Sequence, residues 1–310
     1  MVDIVITYLN DNSKWREKFN YYKQQEIEQG IIEETSKQAF GEERTRNWEF
    51  LKYWLRSVEK NCKWFNKVFL IVQDKDHVPE WIDTNCEKLR IVTHDEYIPE
   101  ELLPTFNSLT ITMYINRIKD LSNNYIYCDD DMFFMNPIKE DRFFNGLSNQ
   151  EDNRVPFGHY FDYDEYLHIL NNCTDFEEKY MGEEKIKYHF YHLPTAHQKE
   201  DELKILEDNY EEILEHHNKS KFRYKTNLDY NIFTNILKLQ NKCNLLEKGK
   251  VYGNCGYVAL KQGINLEEYR NKDMVCFNDT DLATENFEET KQELDRFLES
   301  IFKEKSIFEV

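Results

Sequence analysis

Three consecutive aspartates, Asp129, Asp130 and Asp131, lie between apolar and aromatic residues on both sides. The apolar residues before them predict a short buried strand, so the three carboxylates fall where the strand ends and a loop begins. Open α/β sheets bind their ligands at that edge. Three like charges so close together require a cation, arginines or a shared proton, because isolated buried ions are costly. A solvated turn is the alternative, and the apolar flanks disfavour it.

Arg44, Arg46, Arg56 and Arg223 are candidate partners for phosphate. In a chain with a formal net charge of -19, such guanidinium groups could clamp a diphosphate, because they bind phosphate oxygens bidentately. A surface salt bridge is the commoner role for any single arginine. His192 lies near a proline that restricts the backbone and suits acid or base catalysis near neutral pH. Taken alone, such a histidine is more often structural.

Asn278 and Asp279 follow a second apolar run, residues 274–277. This pattern again predicts a strand that ends in polar oxygen atoms. Either a ligand to substrate or a plain Asx-turn fits it.

The composition indicates a globular enzyme and argues against a nucleic-acid partner. Of 310 residues, 40% are hydrophobic and 15% aromatic, which is enough for a full core. The excess of 59 acidic over 40 basic residues would repel phosphate backbones. Seven cysteines without C-x-x-C spacing and the lack of a signal peptide predict a cytoplasmic protein with reduced thiols. Docking at the inner face of the membrane stays open, and the oligomeric state is not encoded.

Alternating apolar runs and helical patterns predict an α/β fold with a mostly parallel, Rossmann-like sheet and flanking helices. Strands are predicted at residues 2–9, 68–72, 89–93 and 125–128, and near residues 251 and 257. Helices are predicted at residues 15–40, 47–60, 198–217 and 227–239, and after residue 281.

The predicted organisation has a catalytic core with an insertion. Residues 1–140 and 191–282 form the two parts of the core. Residues 141–190, rich in aromatic and acidic side chains, predict an inserted lobe or lid. Residues 283–310 form an amphipathic helix, for which packing on its own domain is favoured over a membrane or partner contact.

Ten stretches of the sequence, taken together, resemble the Stealth family of sugar-phosphate transferases. They are residues 3–10, 46–59, 64–72, 78–81, 91–95, 103–108, 126–133, 192–194, 222–223 and 275–280. The resemblance covers the four conserved blocks of the family, in order, over residues 1–280. Departures occur at Asn10, Thr112, Asp129 and Asn227, which leaves the donor sugar and acceptor undefined.

The resemblance implies roles for particular residues. Asp131, His192 and Arg223 are the implied catalytic residues, with either Asp131 or His192 as the general base. Asp130 and Asp131 are the implied ligands of Mg²⁺ or Mn²⁺, and Arg223 with Arg46 is expected to hold the diphosphate. The residues expected to bind substrate are Asp3, Thr7, Asn10, Arg44, Arg46, Arg56, Asn107, Ser108, Asn278 and Asp279.

The implied reaction moves a hexose 1-phosphate or N-acetylhexosamine 1-phosphate from a UDP-sugar to a glycan hydroxyl and releases UMP. The expected partners are a nucleotide sugar donor and a glycan or lipid-linked glycan acceptor, in capsule or cell-wall polysaccharide synthesis. The first alternative is a conventional glycosyltransferase, which releases a nucleoside diphosphate. A non-catalytic sugar-binding protein is a second alternative, disfavoured because the Asp, His and Arg set is present.

Overall fold

A computed structural model describes residues 1–161, 165–183 and 185–310. The strands are β1 (Val2–Thr7), β2 (Val68–Val72), β3 (Leu89–Thr93), β4 (Asn124–Cys128), β5 (Met132–Phe134), β6 (Phe144–Asn145), β7 (Leu147–Glu151), β8 (Arg154–Pro156), β9 (Ile186–Tyr188), β10 (Thr195–Gln198), β11 (Asn244–Leu246), β12 (Cys255–Ala259) and β13 (Met274–Asn278). The helices are α1 (Ser13–Glu28), α2 (Lys37–Phe40), α3 (Phe50–Asn61), α4 (Ser108–Met113), α5 (Glu165–Glu178), α6 (Lys199–Asp208), α7 (Tyr210–His217), α8 (Asn231–Leu239) and α9 (Phe287–Ile301).

The central sheet has the strand order β10-β4-β1-β2-β3. Strands β1 to β4 all run parallel to their neighbours, and only the edge strand β10 is antiparallel. Parallel strands end at the same edge, so the residues that follow β1, β2, β3 and β4 come together there. The predicted α/β fold with a mostly parallel sheet and flanking helices is confirmed.

The sheet is covered on both faces, which explains its near-continuous apolar strands. On one face Ile4, Ile6 and Leu70 pack with α3, α9 and the small sheet β12-β13-β5. On the other face Val5 and Phe69 pack with side chains of α4, α5, α6 and α8. Alternate residues of one strand thus enter opposite cores, as the pleat requires.

Several element boundaries differ from the sequence prediction. The predicted helix 198–217 is two helices, α6 and α7, which are separated at Asn209; the side chain of Asn209 donates to the carbonyl of Ile205, 2.7 Å away, where α6 ends. The predicted helix 15–40 ends at Glu28 and is followed by Gly30, whose φ of +67° glycine adopts readily. Val251 lies outside any strand.

Residues 141–190 contribute to the same cores as the sheet. Helix α5 places Ile169, Cys173 and Phe176 in the cluster that covers Val5 and Phe69. Residues 162–164, within the predicted aromatic and acidic lobe, and residue 184 lie outside the described residues. The unit boundaries at residues 140, 190 and 282 stay a prediction.

The C-terminal helix α9 packs on its own protein. Its side chains Leu294, Phe297 and Leu298 are buried in the first core. None of the helices in the described ranges combines the length and apolar character needed to cross a membrane.

Candidate active site

A cavity of about 520 Å³ opens at the edge where the parallel strands end, and its volume suits a small-molecule ligand. Eleven of the residues singled out in the sequence line it. They are Thr7, Arg44, Arg46, Ser108, Asp129, Asp130, Asp131, His192, Arg223, Asn278 and Asp279. The loop after β4 carries the aspartates, and the segment before β10 carries His192.

Asp131 is held between two elements that the sequence separates widely. Strand β13 pairs with β5 so that Cys276 lies opposite Met132, and the thiol of Cys276 donates to Asp131 Oδ2 at 3.3 Å. His192 Nε2 lies 3.5 Å from the same oxygen. The other oxygen, Asp131 Oδ1, is buried and has no hydrogen-bond partner among the described residues. An unpartnered buried oxygen at a cavity is available to a ligand or cation.

The carboxylates determine the protonation state of His192. Burial alone would lower the pKa of His192, but Asp131 and then Asp129 outweigh it and raise the pKa to about 9. Burial and the charges of Asp131 and Asp129 raise the pKa of Asp130 to about 8. Burial also raises the pKa of Asp129, against the opposing charge of His192. The hydroxyl of Tyr127 donates to Asp129 Oδ1. The run therefore carries less negative charge at neutral pH than three free aspartates would.

The acidic run fits a divalent cation by the type of its donor atoms. Asp131, His192 and Cys276 place one ligand atom each within 4.8 Å of one another, so this group could hold a metal ion. Mg²⁺ and Mn²⁺ prefer oxygen, and the unpartnered Asp131 Oδ1 beside Asp130 offers it. Burial and Asp131 raise the pKa of the Cys276 thiol, which keeps it a hydrogen-bond donor and disfavours it as a thiolate ligand.

Two arginines of the cavity meet at one hydroxyl. Arg44 and Arg223 both donate to Ser108 Oγ, at 3.1 and 2.7 Å. Burial and the charge of Arg223 lower the pKa of Arg44 to about 9, and burial lowers that of Arg223. Neither forms an ion pair with a carboxylate in the described part of the chain, and Arg223 Nε is buried without a partner. Two such cations at a cavity could bind an anion.

The segment around Arg223 is fixed by packing and by a buried carboxylate. Phe222 is fully buried, and its ring stacks on that of Phe106 with centroids 5.3 Å apart. Glu26 of α1 accepts hydrogen bonds from Ser220 Oγ at 2.6 Å and from the backbone of Lys221 at 2.7 Å. These contacts hold the chain just before Arg223 against α1.

Arg46 was expected to hold the diphosphate together with Arg223, but it is bound to a carboxylate instead. It binds both carboxylate oxygens of Asp279, at 2.8 and 2.9 Å, and donates to the carbonyl of Thr280. Its charge is therefore paired with a carboxylate, whereas Arg44 forms no ion pair within the described residues. The structure thus brings Arg44, and not Arg46, together with Arg223.

Four further predicted substrate residues do not line the cavity. Asp3 is buried at the opposite end of β1, where it accepts from Asn66 Nδ2 and Ser122 N at 2.8 Å. Arg56 binds Glu309 with two hydrogen bonds of 2.8 Å and fixes the C-terminal segment. Both therefore hold the fold together at places outside the cavity, and their expected role in binding substrate stays a prediction.

Asn107 and Asn10 support neighbouring residues of the cavity. Asn107 caps α4, accepting from Leu109 N at 3.1 Å and donating to Asn227 at 2.8 Å. It thereby orients the turn that carries Ser108. Asn10 Nδ2 donates to the carbonyl of His77 at 3.3 Å.

The sequence did not single out several polar side chains of the cavity. Tyr127, Asp229 and Tyr230 line it, and the rings of the two tyrosines pack edge to face at 4.9 Å. Tyr127 belongs to the apolar run of β4, so nothing in the pattern separated it from core residues. The partner of Asp131, Cys276, was hidden in the same way within β13.

In the described part of the chain, a ligand cavity with an acidic loop and two arginines without carboxylate ion pairs thus lies at the carboxyl edge of a parallel sheet. The family model for Stealth protein CR2, conserved region 2, matches residues 44–152. Capsular polysaccharide phosphotransferase WcwK of Streptococcus pneumoniae is 29% identical over 342 aligned residues, covering 99% of this chain and 98% of that protein. The chain therefore carries conserved region 2 of the Stealth proteins and is similar to this phosphotransferase over nearly its whole length.

Other relatives are more similar over shorter alignments. Capsular polysaccharide phosphotransferase LcbA of Aeromonas hydrophila is 36% identical over 151 residues, 48% of this chain and 40% of that protein. Receptor polysaccharide phosphotransferase WefC of Streptococcus gordonii is 36% identical over 146 residues, 46% of this chain and 41% of that protein.

A solved structure of the galactosyltransferase LgtC with donor and acceptor sugar analogues aligns with a TM-score of 0.39 and 11% identity. The alignment covers 94% of this chain and 95% of that one. At that TM-score the likeness does not establish a shared fold.

Proposed function

We propose that this protein transfers a sugar 1-phosphate from a nucleotide sugar to a hydroxyl of a glycan acceptor, in the synthesis of a capsular or related polysaccharide. The names of its relatives, capsular and receptor polysaccharide phosphotransferases, support the reaction class. One structural observation supports this cavity as the place of the reaction. Arg44 and Arg223, which form no ion pair with a carboxylate in the ranges that the structure describes, share a cavity with the Asp131–His192 pair.

The arginines bind and neutralise the diphosphate of the donor. Both guanidinium groups already point at Ser108 Oγ, so phosphate oxygens can replace the hydroxyl as their acceptor. Phosphoryl transfer spreads negative charge over the equatorial oxygens in the transition state. Fixed cations that need no reorganisation stabilise that charge better than water does.

The Asp131–His192 pair takes the proton of the attacking hydroxyl. The acceptor oxygen forms a bond to the β-phosphorus, the bond from that phosphorus to the bridging oxygen breaks, and the nucleoside monophosphate leaves. The proton passes to His192 Nε2, which must first be deprotonated. Asp131, 3.5 Å from that nitrogen, makes His192 a stronger base once the proton is lost.

A divalent cation, Mg²⁺ or Mn²⁺, held by Asp130 and Asp131 would add positive charge at the diphosphate when bound. Asn278, at the end of β13, and Asp279, oriented by Arg46, lie in the same cavity. We assign them to the hydroxyls of the donor sugar or of the acceptor. The cytoplasmic location stays a prediction.

A screen of nucleotide sugars for release of nucleoside monophosphate, with and without EDTA, tests the proposed function. We expect one donor class to release monophosphate in the presence of acceptor, and EDTA to stop the release. Variants His192→Gln and Arg223→Met should lose this activity. The control Arg270→Met, in a surface ion pair with Glu267, should retain it. Release of nucleoside diphosphate instead would support the glycosyltransferase alternative and contradict the proposal.

A further inference from the structure

A second group of polar side chains lines the cavity, and each has an atom without a partner. Gln73 Oε1, His77 Nε2 and His94 Nδ1 are buried and make no hydrogen bond within the described part of the chain. The residues His77 and His94 are only 2% and 6% exposed. Each unsatisfied buried polar atom costs on the order of 1–3 kcal/mol. Three of them around one cavity indicate a ligand that supplies the missing partners.

These residues lie at the same sheet edge as the aspartates but farther along it. Gln73 follows the last residue of β2, and His94 follows the last residue of β3. The aspartates follow β4, and β1 lies between β4 and β2 in the sheet. The group therefore occupies a separate end of the cavity. Residues of α4, which begins at Ser108, also line the cavity.

Hydrogen bonds fix the two histidines before any ligand arrives. His77 Nδ1 lies 2.9 Å from Asp74 Oδ1, and the backbone of His94 donates to the carbonyl of Gln73 at 3.4 Å. Since Nδ1 of His77 is engaged with Asp74, Nε2 is the ring nitrogen left without a partner among the described residues. Burial and the neighbouring His77 lower the pKa of His94 to about 3, so the His94 ring is neutral.

The chemistry of this end suits a flat heteroaromatic ring. Leu9, Ile71 and Ile111 add apolar walls to the cavity. Gln73 Oε1 is an acceptor, and a ring nitrogen of histidine either donates or accepts according to its tautomer, so the ligand must carry N–H or O–H donors and can also carry acceptors. A nucleobase offers apolar faces together with an edge of ring N–H, amino and carbonyl groups, whereas a sugar offers hydroxyls without a flat aromatic face.

We propose that Gln73, His77 and His94 form a subsite that binds the hydrogen-bonding edge of the donor's nucleobase. The subsite rests on the proposed function, since it takes the nucleotide whose diphosphate binds Arg44 and Arg223. It selects among bases, while the arginines bind the phosphates of any nucleotide.

Calorimetric binding of UMP and of ribose 5-phosphate to the full chain tests the subsite. The wild type should bind UMP at least about tenfold more tightly, because only UMP has a base. Gln73→Leu and His94→Phe should each weaken UMP roughly five- to tenfold and leave ribose 5-phosphate unchanged. Arg223→Met should weaken both ligands. A series of UMP, CMP, GMP and AMP should show a preference that Gln73→Leu relaxes.

Thermal unfolding checks that each variant folds, and Gln73, which is half-buried, tolerates substitution better than His94. Equal affinity of the wild type for UMP and ribose 5-phosphate would overturn the subsite alone. If Gln73→Leu and His94→Phe both kept the wild-type preference among UMP, CMP, GMP and AMP, the subsite would also be overturned. If neither nucleotides nor a UDP-sugar bound at all, the proposed function would fail together with the subsite.

Discussion

We expect Arg223→Met to leave the free protein as stable as the wild type or slightly more stable, while it loses nucleotide binding. Methionine keeps the length and apolar stem of the side chain and removes its charge. In the free protein that charge faces Arg44 across Ser108 Oγ without a carboxylate partner among the described residues. Replacement therefore relieves the repulsion from Arg44, which Asp129 and Asp229 oppose without forming an ion pair with Arg223.

The size of this effect follows from the distances. Nitrogens that lie 3.1 and 2.7 Å from one oxygen are no more than 5.8 Å apart. At that separation two unit charges repel by roughly 3 kcal/mol when the effective dielectric constant is about 20. The variant loses the hydrogen bonds to Ser108 and Gln38, worth about 1 kcal/mol each. The net change is at most a gain of ~1 kcal/mol, or about 2 °C in Tm, because the variant also loses the attraction of this charge to Asp129 and Asp229.

The assay is thermal unfolding with and without UDP. At one hundred times Kd, a ligand adds about 2.7 kcal/mol to the free energy of unfolding, and the variant should lose nearly all of this. Arg46→Met is the matched control, because it removes an arginine of the same cavity that has a counterion. It leaves Asp279 partly buried and unpaired, so we expect a loss of roughly 3 kcal/mol.

Opposite signs for the two arginine variants are the essential result. Arg223→Met could instead destabilise the free protein by as much as Arg46→Met. That result would contradict the claim that Arg46 has a carboxylate counterion and Arg223 has none. If Arg223→Met also kept the stabilisation by UDP, the Arg44–Arg223 pair would not be the anion site.

Three further predictions concern other parts of the site. His192→Gln should lower kcat by about 10²–10⁴ with little change in KM, and the wild-type kcat/KM should rise with pH up to about 9, where His192 loses its proton. Asp130→Asn should raise Tm above that of the wild type at pH 8, and the increase in Tm should be much smaller near pH 4. The folded-state pKa of Asp130 is raised to about 8, so the wild type loses stability as the pH rises towards 8, whereas the asparagine variant does not. Glu26→Gln should lower kcat/KM about tenfold by loosening the segment before Arg223, with a matching rise in the Kd of UDP measured by calorimetry.

The sequence predicted the sheet well because four short apolar runs are an unambiguous local signal. Strands at residues 68–72 and 89–93 match β2 and β3 residue for residue. The aspartates after β4 and the polar pair after β13 were found for the same reason: a polar cluster after a buried strand marks the ligand edge.

The pairing of charges could not be predicted, because it depends on residues far apart in the chain. Arg44, Arg46 and Arg56 look alike in the sequence, yet their partners are Ser108, Asp279 and Glu309. Only packing decides which guanidinium is left without a carboxylate. The unpartnered atoms of Gln73, His77 and His94 are equally invisible, since an unsatisfied hydrogen bond is a property of the fold.

The fate of the β-phosphorus of the donor tests the proposed reaction most directly. A nucleotide sugar labelled with ³²P at the β-position is incubated with the enzyme and its acceptor, and the glycan is then separated from the nucleotides. Transfer of sugar 1-phosphate predicts label in the glycan, as a phosphodiester, and unlabelled nucleoside monophosphate. Label that stays in a nucleoside diphosphate, with an unlabelled glycan product, would contradict it.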